Sequence, residues 1–323
     1  MANIIASIGI YGDLHLHSKN YGAHNDYPKE SLDYLSKITE ITRKRKLTHL
    51  IGCGDFSFGR FNTLEYRVAV EKNLKEQFEL TNGNRYELFG NHDVAGYGMT
   101  ERDYYIEKGL LKPSTNLVIG SLNLNMVDYG KHDTTAVNIV DDESHHNFIV
   151  AHDFFKFANS SVANYGKAIE LDNFEKWFGA DLIICGHIHK ILDFSGYIQK
   201  DGLAHQCQVH YLGCMMRPAY REGHMDDTGQ VMVITVYDDG TLEYDLEIIN
   251  LWTLEQSFNL AEKEKETKEK ASKHNRVDIS DVVKQLDSHD RNVGNPEDII
   301  AGMEDIPDKY KNKAIELLKE ATG

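Results

Sequence analysis

Short apolar runs separated by polar, turn-rich segments recur along the chain. They predict strands at Ile4–Tyr11, His49–Cys53, Tyr86–Phe89, Asn116–Ile119, Leu122–Val127, Phe148–Ala151, Leu182–Cys185, Val209–Gly213, Gln230–Tyr237 and Leu242–Asn250. Several are unbroken β-branched or aliphatic stretches, the pattern of strands covered on both faces. Helical periodicity falls between the early ones. Over Ser31–Lys46, the residues Leu32, Leu35, Ile38, Ile41 and Thr42 share one face. Leu64–Leu80 repeats the device with Val68, Leu74 and Phe78, and a third helix is predicted over Glu170–Phe178. Strand–helix–strand alternation early and strand-rich sequence late predict a layered α/β sandwich with two sheets. Asp238-Asp239-Gly240-Thr241, between two alternating runs, is a hairpin signal.

The pattern changes after Trp252. Residues Glu262–Lys273 are almost wholly Glu, Lys, Thr, Ala and Ser, which reads as a solvated linker or exposed helix. Apolar periodicity returns in Val277–Leu286 and Pro296–Ala321, where Tyr310, Ala314, Leu317 and Leu318 form one stripe. Asn295-Pro296-Glu297-Asp298 supplies a capping residue, a proline and acids for a helix start. The expected organisation is a main domain over 1–254, a charged linker over 255–275 and a helical module over 276–323. That module is too short to bury much of a core alone and should dock on something.

Five motifs stand directly after apolar runs: Gly12-Asp13-Leu14-His15, Gly54-Asp55, Gly90-Asn91-His92-Asp93, a lone His152, and Gly186-His187-Ile188-His189. Each therefore sits where a buried strand ends. In open α/β sheets, crevices lie outside the carboxyl ends of strands, so these residues should converge. Two divalent cations sharing a site require carboxylate, imidazole and amide oxygen, with one carboxylate between them. Asp13, His15, Asp55, Asn91, His152, His187 and His189 are that set, and Asp55 is the natural bridge. His92 adjoins Asn91 without needing to bind metal. It can protonate a leaving oxygen while a metal-held hydroxide attacks from the other side. Asp93 is expected to hydrogen-bond its imidazole.

The composition is ordinary for a globular chain of 323 residues, with 41% hydrophobic and 27% charged residues. The formal charge of −16 is acidic. Such a surface does not attract nucleic acid over a distance, so a DNA-directed role would lean on bound cations, local basic patches or a partner. Cys53, Cys185, Cys207 and Cys214 form no CxxC pair and read as small buried hydrophobes in a reducing compartment. No apolar run approaches the roughly 18 residues of a membrane span, and no signal peptide is evident. A soluble cytoplasmic protein is expected.

In this order, Asp13-x-His15, Gly54-Asp55, Gly90-Asn91-His92-Asp93, His152 and Gly186-His187-x-His189 resemble the calcineurin-like metallophosphoesterase superfamily over about residues 4–250. Within it the chain is most similar to SbcD-type DNA repair nucleases and their bacteriophage recombination-endonuclease counterparts. The carriers are the polar loop Ser18–Pro28, Tyr211-Leu212-Gly213 with the polar segment Arg217–Gly229, the two closing strands and the acidic tail. The resemblance implies a four-layer α/β/β/α sandwich with a small C-terminal helical module. It implies two Mn²⁺ ions (Mg²⁺ or other divalent cations being alternatives), with Asp13, His15 and His189 around one and Asn91, His152 and His187 around the other. Asp55 would bridge them and His92 would act on the leaving group. Exonuclease and endonuclease activity on DNA, a homodimer, and an SbcC-type SMC/ABC ATPase partner docked through the tail are implied as well. Many relatives carry a polar His or Asp three residues after the bridging Asp, where this chain has Phe58. The competing expectation is a phosphodiesterase or phosphatase acting on small nucleotides or phosphoproteins with the same metal core.

Other residues carry less weight. His145-His146 are expected in a surface loop. If its segment is extended, His17 points away from His15. His24 and Asp26 belong to a polar loop that could line a groove or interface. Arg60, Lys190, Arg217 and Arg221 are the basic residues nearest the motifs, and Tyr97 and Tyr220 are aromatic candidates for stacking a base.

Overall fold

A computed structural model of the chain describes residues 2–20, 24–58, 62–93, 99–142, 144–158, 160, 168–216 and 229–259. The sequence expectations for the linker beyond residue 259 and for the module 276–323 lie outside the described residues. So do those for Arg60, Tyr97, Arg217, Tyr220 and Arg221.

The chain begins with β1 (Ile4–Tyr11), α1 (Tyr27–Lys44), β2 (His49–Gly52), α2 (Leu64–Leu80), β3 (Arg85–Glu87) and α3 (Glu101–Glu107). Then follow β4 (Leu117–Ile119), β5 (Leu122–Val127), β6 (His146–Ala151), β7 (Phe155–Lys156), β8 (Ile169–Glu170), a 3₁₀ turn at Glu175–Trp177 and β9 (Leu182–Cys185). The described chain closes with β10 (Ile191–Lys200), β11 (Leu203–Leu212), β12 (Gln230–Tyr237), β13 (Leu242–Ile248) and the single turn α4 (Leu254–Ser257). One sheet has the order β13-β12-β1-β2-β3 and the other β10-β11-β9-β6-β5-β4. In the first, β1, β2 and β3 run parallel; in the second, β5, β6, β9 and β11 do.

The layers follow from alternation along the strands. In β1, Ala6, Ile8 and Ile10 face the second sheet, packing with Leu124, Val150, Ile184 and Met232. Tyr11 faces the other way, into a cluster with Tyr34, Leu35 and Ile38 of α1, Val70 and Leu74 of α2 and Tyr105 of α3. The far face of the second sheet buries Ile149, Ile183, Val209 and Tyr211 under Phe154, Phe157 and Trp177. The expected α/β sandwich is what forms. Its outermost layer on that side is thin among the described residues, built from β7, β8 and the 3₁₀ turn where a helix over Glu170–Phe178 is predicted. Gly179, with φ 96°, ends the turn after Trp177 has reached the core.

Three other differences have local causes. α1 starts at Tyr27 because the Asp26 carboxylate accepts a hydrogen bond from the Lys29 amide at 3.1 Å and Pro28 fits the first turn. Asp26 is thus a helix cap rather than part of a groove. α3 begins with a capping box of Thr100 and Asp103. Lys190–Gln208, where no element is predicted, forms most of a long hairpin. Asp201 and Gly202, with φ 50° and 80°, make the two-residue loop, and Lys200 pairs with Leu203.

His24 is buried between Tyr27 and Phe258. Asn25 accompanies it, its amide donating to the Ser257 carbonyl at 2.9 Å. The packed unit therefore reaches Phe258, beyond the boundary expected at Leu254. Among the described residues, no helix is long and apolar enough to cross a membrane.

Candidate metal centre

The five motifs meet at the carboxyl edge of both sheets. Asp13, Asp55 and Asn91 follow β1, β2 and β3 of the first sheet. His152 follows β6, and His187 and His189 follow β9 of the second. Chain reversal there uses uncommon backbone: His15, Asp55 and His187 have φ of 49°, 50° and 73°. For non-glycine residues such left-handed conformations cost about 1–3 kcal/mol each, so the surroundings must hold them. The Leu14 and His15 amides donate to the Asp55 carbonyl at 3.2 and 2.8 Å, and the buried Tyr27 hydroxyl donates to the His15 carbonyl at 2.8 Å. Close approach explains the motif glycines. A Cβ at Gly90 would overlap the Asp55 amide and Oδ1, and one at Gly186 would overlap Asp13 Oδ1.

Two donor groups result. His15 Nε2 lies 3.0 Å from His189 Nε2 and 3.7 Å from Asp55 Oδ2, and His189 Nε2 lies 3.5 Å from Asp13 Oδ2. Asp13, His15, Asp55 and His189 each place a ligand atom within 4.8 Å of the others. In the second group, Asn91 Oδ1 is 3.0 Å from His152 Nε2 and 2.7 Å from His187 Nδ1. Asp55 Oδ2 is 3.4 Å from His152 Nε2. One carboxylate oxygen thus stands beside both groups.

The donor chemistry fits divalent cations. Ligand atoms about 2.1 Å from one ion stand roughly 3.0–3.4 Å apart, close to these separations. Asp55 Oδ2, which faces both groups, is buried without a hydrogen bond. His152 Nδ1 donates to the Cys53 carbonyl at 2.7 Å, which turns Nε2 toward the centre as the nitrogen a cation would take.

The electrostatics agree. Burial holds His15 well below the ordinary imidazole range, lowers His187, and brings His189 down to about 4. These rings are neutral donors. His152 behaves oppositely: burial works against its charge, but the Asp55 and Asp13 carboxylates raise it to about 10. Burial raises Asp13 to about 8, although the His152 charge pulls it down. Burial would raise Asp55 too, yet His152 and His15 outweigh it and leave Asp55 lowered. Without a cation, a proton held among carboxylates and imidazole supplies the positive charge that the cluster needs.

His92 is exposed at the mouth. Its amide donates to Asp55 Oδ1 at 2.7 Å, and its ring lies 4.9 Å from Phe58 at 31° and 5.0 Å from His15, edge to face. Asp93 does not hold this imidazole, contrary to expectation. Its carboxylate accepts from the amides of Gly90 at 2.9 Å and of Phe56 and Ser57 at 3.3 Å, tying the second motif to the third. Three backbone donors converge on a buried carboxylate there, and a side chain cannot also turn outward to its neighbour. Burial raises Asp93 to about 7.

The left-handed turn at His15 also brings His17 back, so that both rings flank Phe58 at 5.6 and 6.3 Å. His145 and His146 lie at the opposite end of β6 from His152, about 20 Å away along the strand. Lys190 is half-buried. Two neighbours escape sequence reasoning. Tyr129, half-exposed after β5, lies 5.9 Å from the His187 ring and 6.0 Å from that of His152. Cys214, after β11, stands beside His15 and His189. Neither falls in a motif: Tyr129 arrives because β5 runs beside β6 in the second sheet, and Cys214 because the segment after β11 bridges to Asp13 after β1.

A family model described as calcineurin-like phosphoesterase matches residues 6–191. A comparison with curated proteins found no match. Among solved structures, a dimetal phosphatase from Danio rerio aligns at 11% identity with a TM-score of 0.41, covering 77% of this chain and 100% of that one.

Proposed function

The chain belongs to the calcineurin-like phosphoesterase family, and from that premise we propose that it is a two-metal phosphodiesterase whose substrate is DNA. The observation that carries the metal reading is the Asp55 carboxylate, whose Oδ2 lies 3.7 Å from His15 Nε2 and 3.4 Å from His152 Nε2. Asp13, His15 and His189 would hold one cation, Asn91, His152 and His187 the other, and Asp55 both. Mn²⁺ is the proposed metal. Two such ions would neutralise a phosphodiester and acidify water at neutral pH.

The chain's own groups do the rest. Asn91 contributes a neutral oxygen, so the site gains no further negative charge against an anionic substrate. His92, free of the donor groups and exposed, donates its proton to the leaving oxygen. Phe58 beside His92 and the half-exposed Tyr129 beside His187 bring aromatic rings to the donor groups, and stacking of unpaired bases on such rings would suit a nucleic-acid substrate.

The second reading, a small-nucleotide or phosphoprotein substrate, is favoured by the formal charge of −16. Linear and single-stranded DNA and bis-p-nitrophenyl phosphate, assayed side by side with Mn²⁺, separate the two. DNA degradation supports the first reading; rapid ester cleavage with intact DNA overturns it in favour of the second. We propose further that the chain acts as a homodimer with an SbcC-type ATPase docked on residues 276–323. Leu317→Asp with Leu318→Asp in the full chain should abolish co-purification with that partner, and undiminished association would sink the docking idea.

A further inference from the structure

We propose that the Cys214 thiol is an additional ligand of the cation held by Asp13, His15 and His189, giving that half of the centre a sulfur donor and a preference for thiophilic metals. The proposal rests on the two-cation reading above and names a ligand beyond its nitrogen and oxygen donors.

The backbone brings the sulfur there. β11 ends at Leu212, and Gly213, with φ 72°, turns the chain under the first motif. Asp13 and Cys214 are then bridge partners, and the Met215 amide donates to the Asp13 carbonyl at 2.9 Å. The Cys214 sulfur and one ring nitrogen each of His15 and His189 all lie within 4.8 Å of one another, a trio that shares both imidazoles with the Asp13, His15, Asp55 and His189 group. Cys214 is 1% exposed and His15 is fully buried. The thiol's present partner is the Asp13 carbonyl at 3.4 Å, a weak S–H hydrogen bond that is readily given up.

The other cysteines set Cys214 apart. Cys53, Cys185 and Cys207 are buried and free as well, but among the described residues only Cys214 joins a cluster with two imidazoles. On coordination the S–H bond breaks, its proton passes to a solvent base, and the sulfur lone pair goes to the cation with no change in oxidation state. Thiolate favours Zn²⁺, Cd²⁺, Co²⁺ or Fe²⁺ over Mn²⁺ and Mg²⁺. The second donor group, Asn91, His152 and His187, joins no cluster with a cysteine among the described residues. The two halves should then differ in metal preference.

The test uses the full chain stripped of metal and reloaded with Co²⁺. Visible d–d bands report occupancy, and a near-ultraviolet sulfur-to-cobalt charge-transfer band reports thiolate ligation. Wild type should show both; Cys214→Ser and Cys214→Ala, checked for folding by circular dichroism, should keep the d–d bands and lose the charge-transfer band. Cd²⁺ affinity should fall on the order of tenfold or more in both variants while Mn²⁺ affinity at the other half is retained. A charge-transfer band that is missing from wild type, or that survives in Cys214→Ser, overturns the proposal while leaving the two-cation reading intact. An equal fall for Cd²⁺ and Mn²⁺ also overturns it, since packing alone would do that. If wild type takes up no cobalt at all, the two-cation reading fails first.

Discussion

His92→Ala isolates the leaving-group step from the metal centre. The side chain is exposed, and among the described residues its ring meets Phe58 and His15, in tilted and edge geometry at 4.9 and 5.0 Å. Each such pair contributes about 0.5–1.5 kcal/mol, so folding stability should fall by no more than about 3 kcal/mol. The contact that links this residue to the donor set is its backbone amide, 2.7 Å from Asp55 Oδ1, and alanine keeps it. Metal content should therefore stay at the wild-type level. What goes is proton donation, worth about 10²–10⁴ in rate, or roughly 2.7–5.4 kcal/mol of transition-state stabilisation.

That loss must depend on the leaving group. A DNA 3′-alkoxide needs the proton, whereas p-nitrophenolate departs without it. The assay is kcat on DNA and on bis-p-nitrophenyl phosphate for wild type, His92→Ala and His92→Gln at saturating Mn²⁺. The expected result is a fall of about 10²–10⁴ on DNA and less than about tenfold on the activated ester. Equal losses on the two substrates, at unchanged metal content, would refute the assignment of His92 as the acid.

Three further outcomes follow from the geometry. Tyr27→Phe leaves the buried His15 carbonyl without its donor, which should lower stability in urea by about 1–3 kcal/mol and weaken metal retention, because His15 is held at φ 49°; wild-type values for both would show that His15 holds itself. Gly90→Ala drives a Cβ into the Asp55 amide and Oδ1, so the purified protein should retain fewer than two cations after dialysis, and a full complement would contradict the close-packing account. The metal-free protein should lose stability as pH rises from neutrality toward 10. His152 is raised from 6.5 to about 10 and Asp13 from 3.8 to about 8, so the folded state binds more protons than the unfolded chain throughout that window. Cations displace those protons, so the gain in melting temperature on adding Mn²⁺ should grow with pH; a gain that shrinks from pH 7 to pH 9 argues against protons and cations competing for the same groups.

Part of this was written in local sequence. Short continuous apolar runs with β-branched residues, such as Leu182–Cys185, fit strands buried on both faces, and an amphipathic stripe such as Leu35, Ile38 and Ile41 covers a sheet. Because ligand-bearing loops follow strand ends, the order of the motifs was enough to name a common site. Turn chemistry was legible where it was read, at Asp239-Gly240, and equally present where it was not, at Asp201-Gly202 and Asp26-Tyr27-Pro28. The helix predicted at Glu170–Phe178 failed because Trp177 and Phe178 are apolar for a core that a single 3₁₀ turn already reaches.

The sequence by itself determined which residues could bind metal and on which strands they would ride, since composition and periodicity are properties of neighbours along the chain. Tertiary structure decided what each did on arrival. Asp93 became a backbone clamp rather than the partner of His92, because three amides reached its carboxylate first. His24 entered the core through Phe258, far along the chain. Tyr129 and Cys214 joined the centre without any motif. Their positions depend on left-handed turns at His15, Asp55 and Gly213 and on two sheets packed face to face. Those contacts between distant segments are set by packing and hydrogen bonding across the fold, which no local pattern encodes.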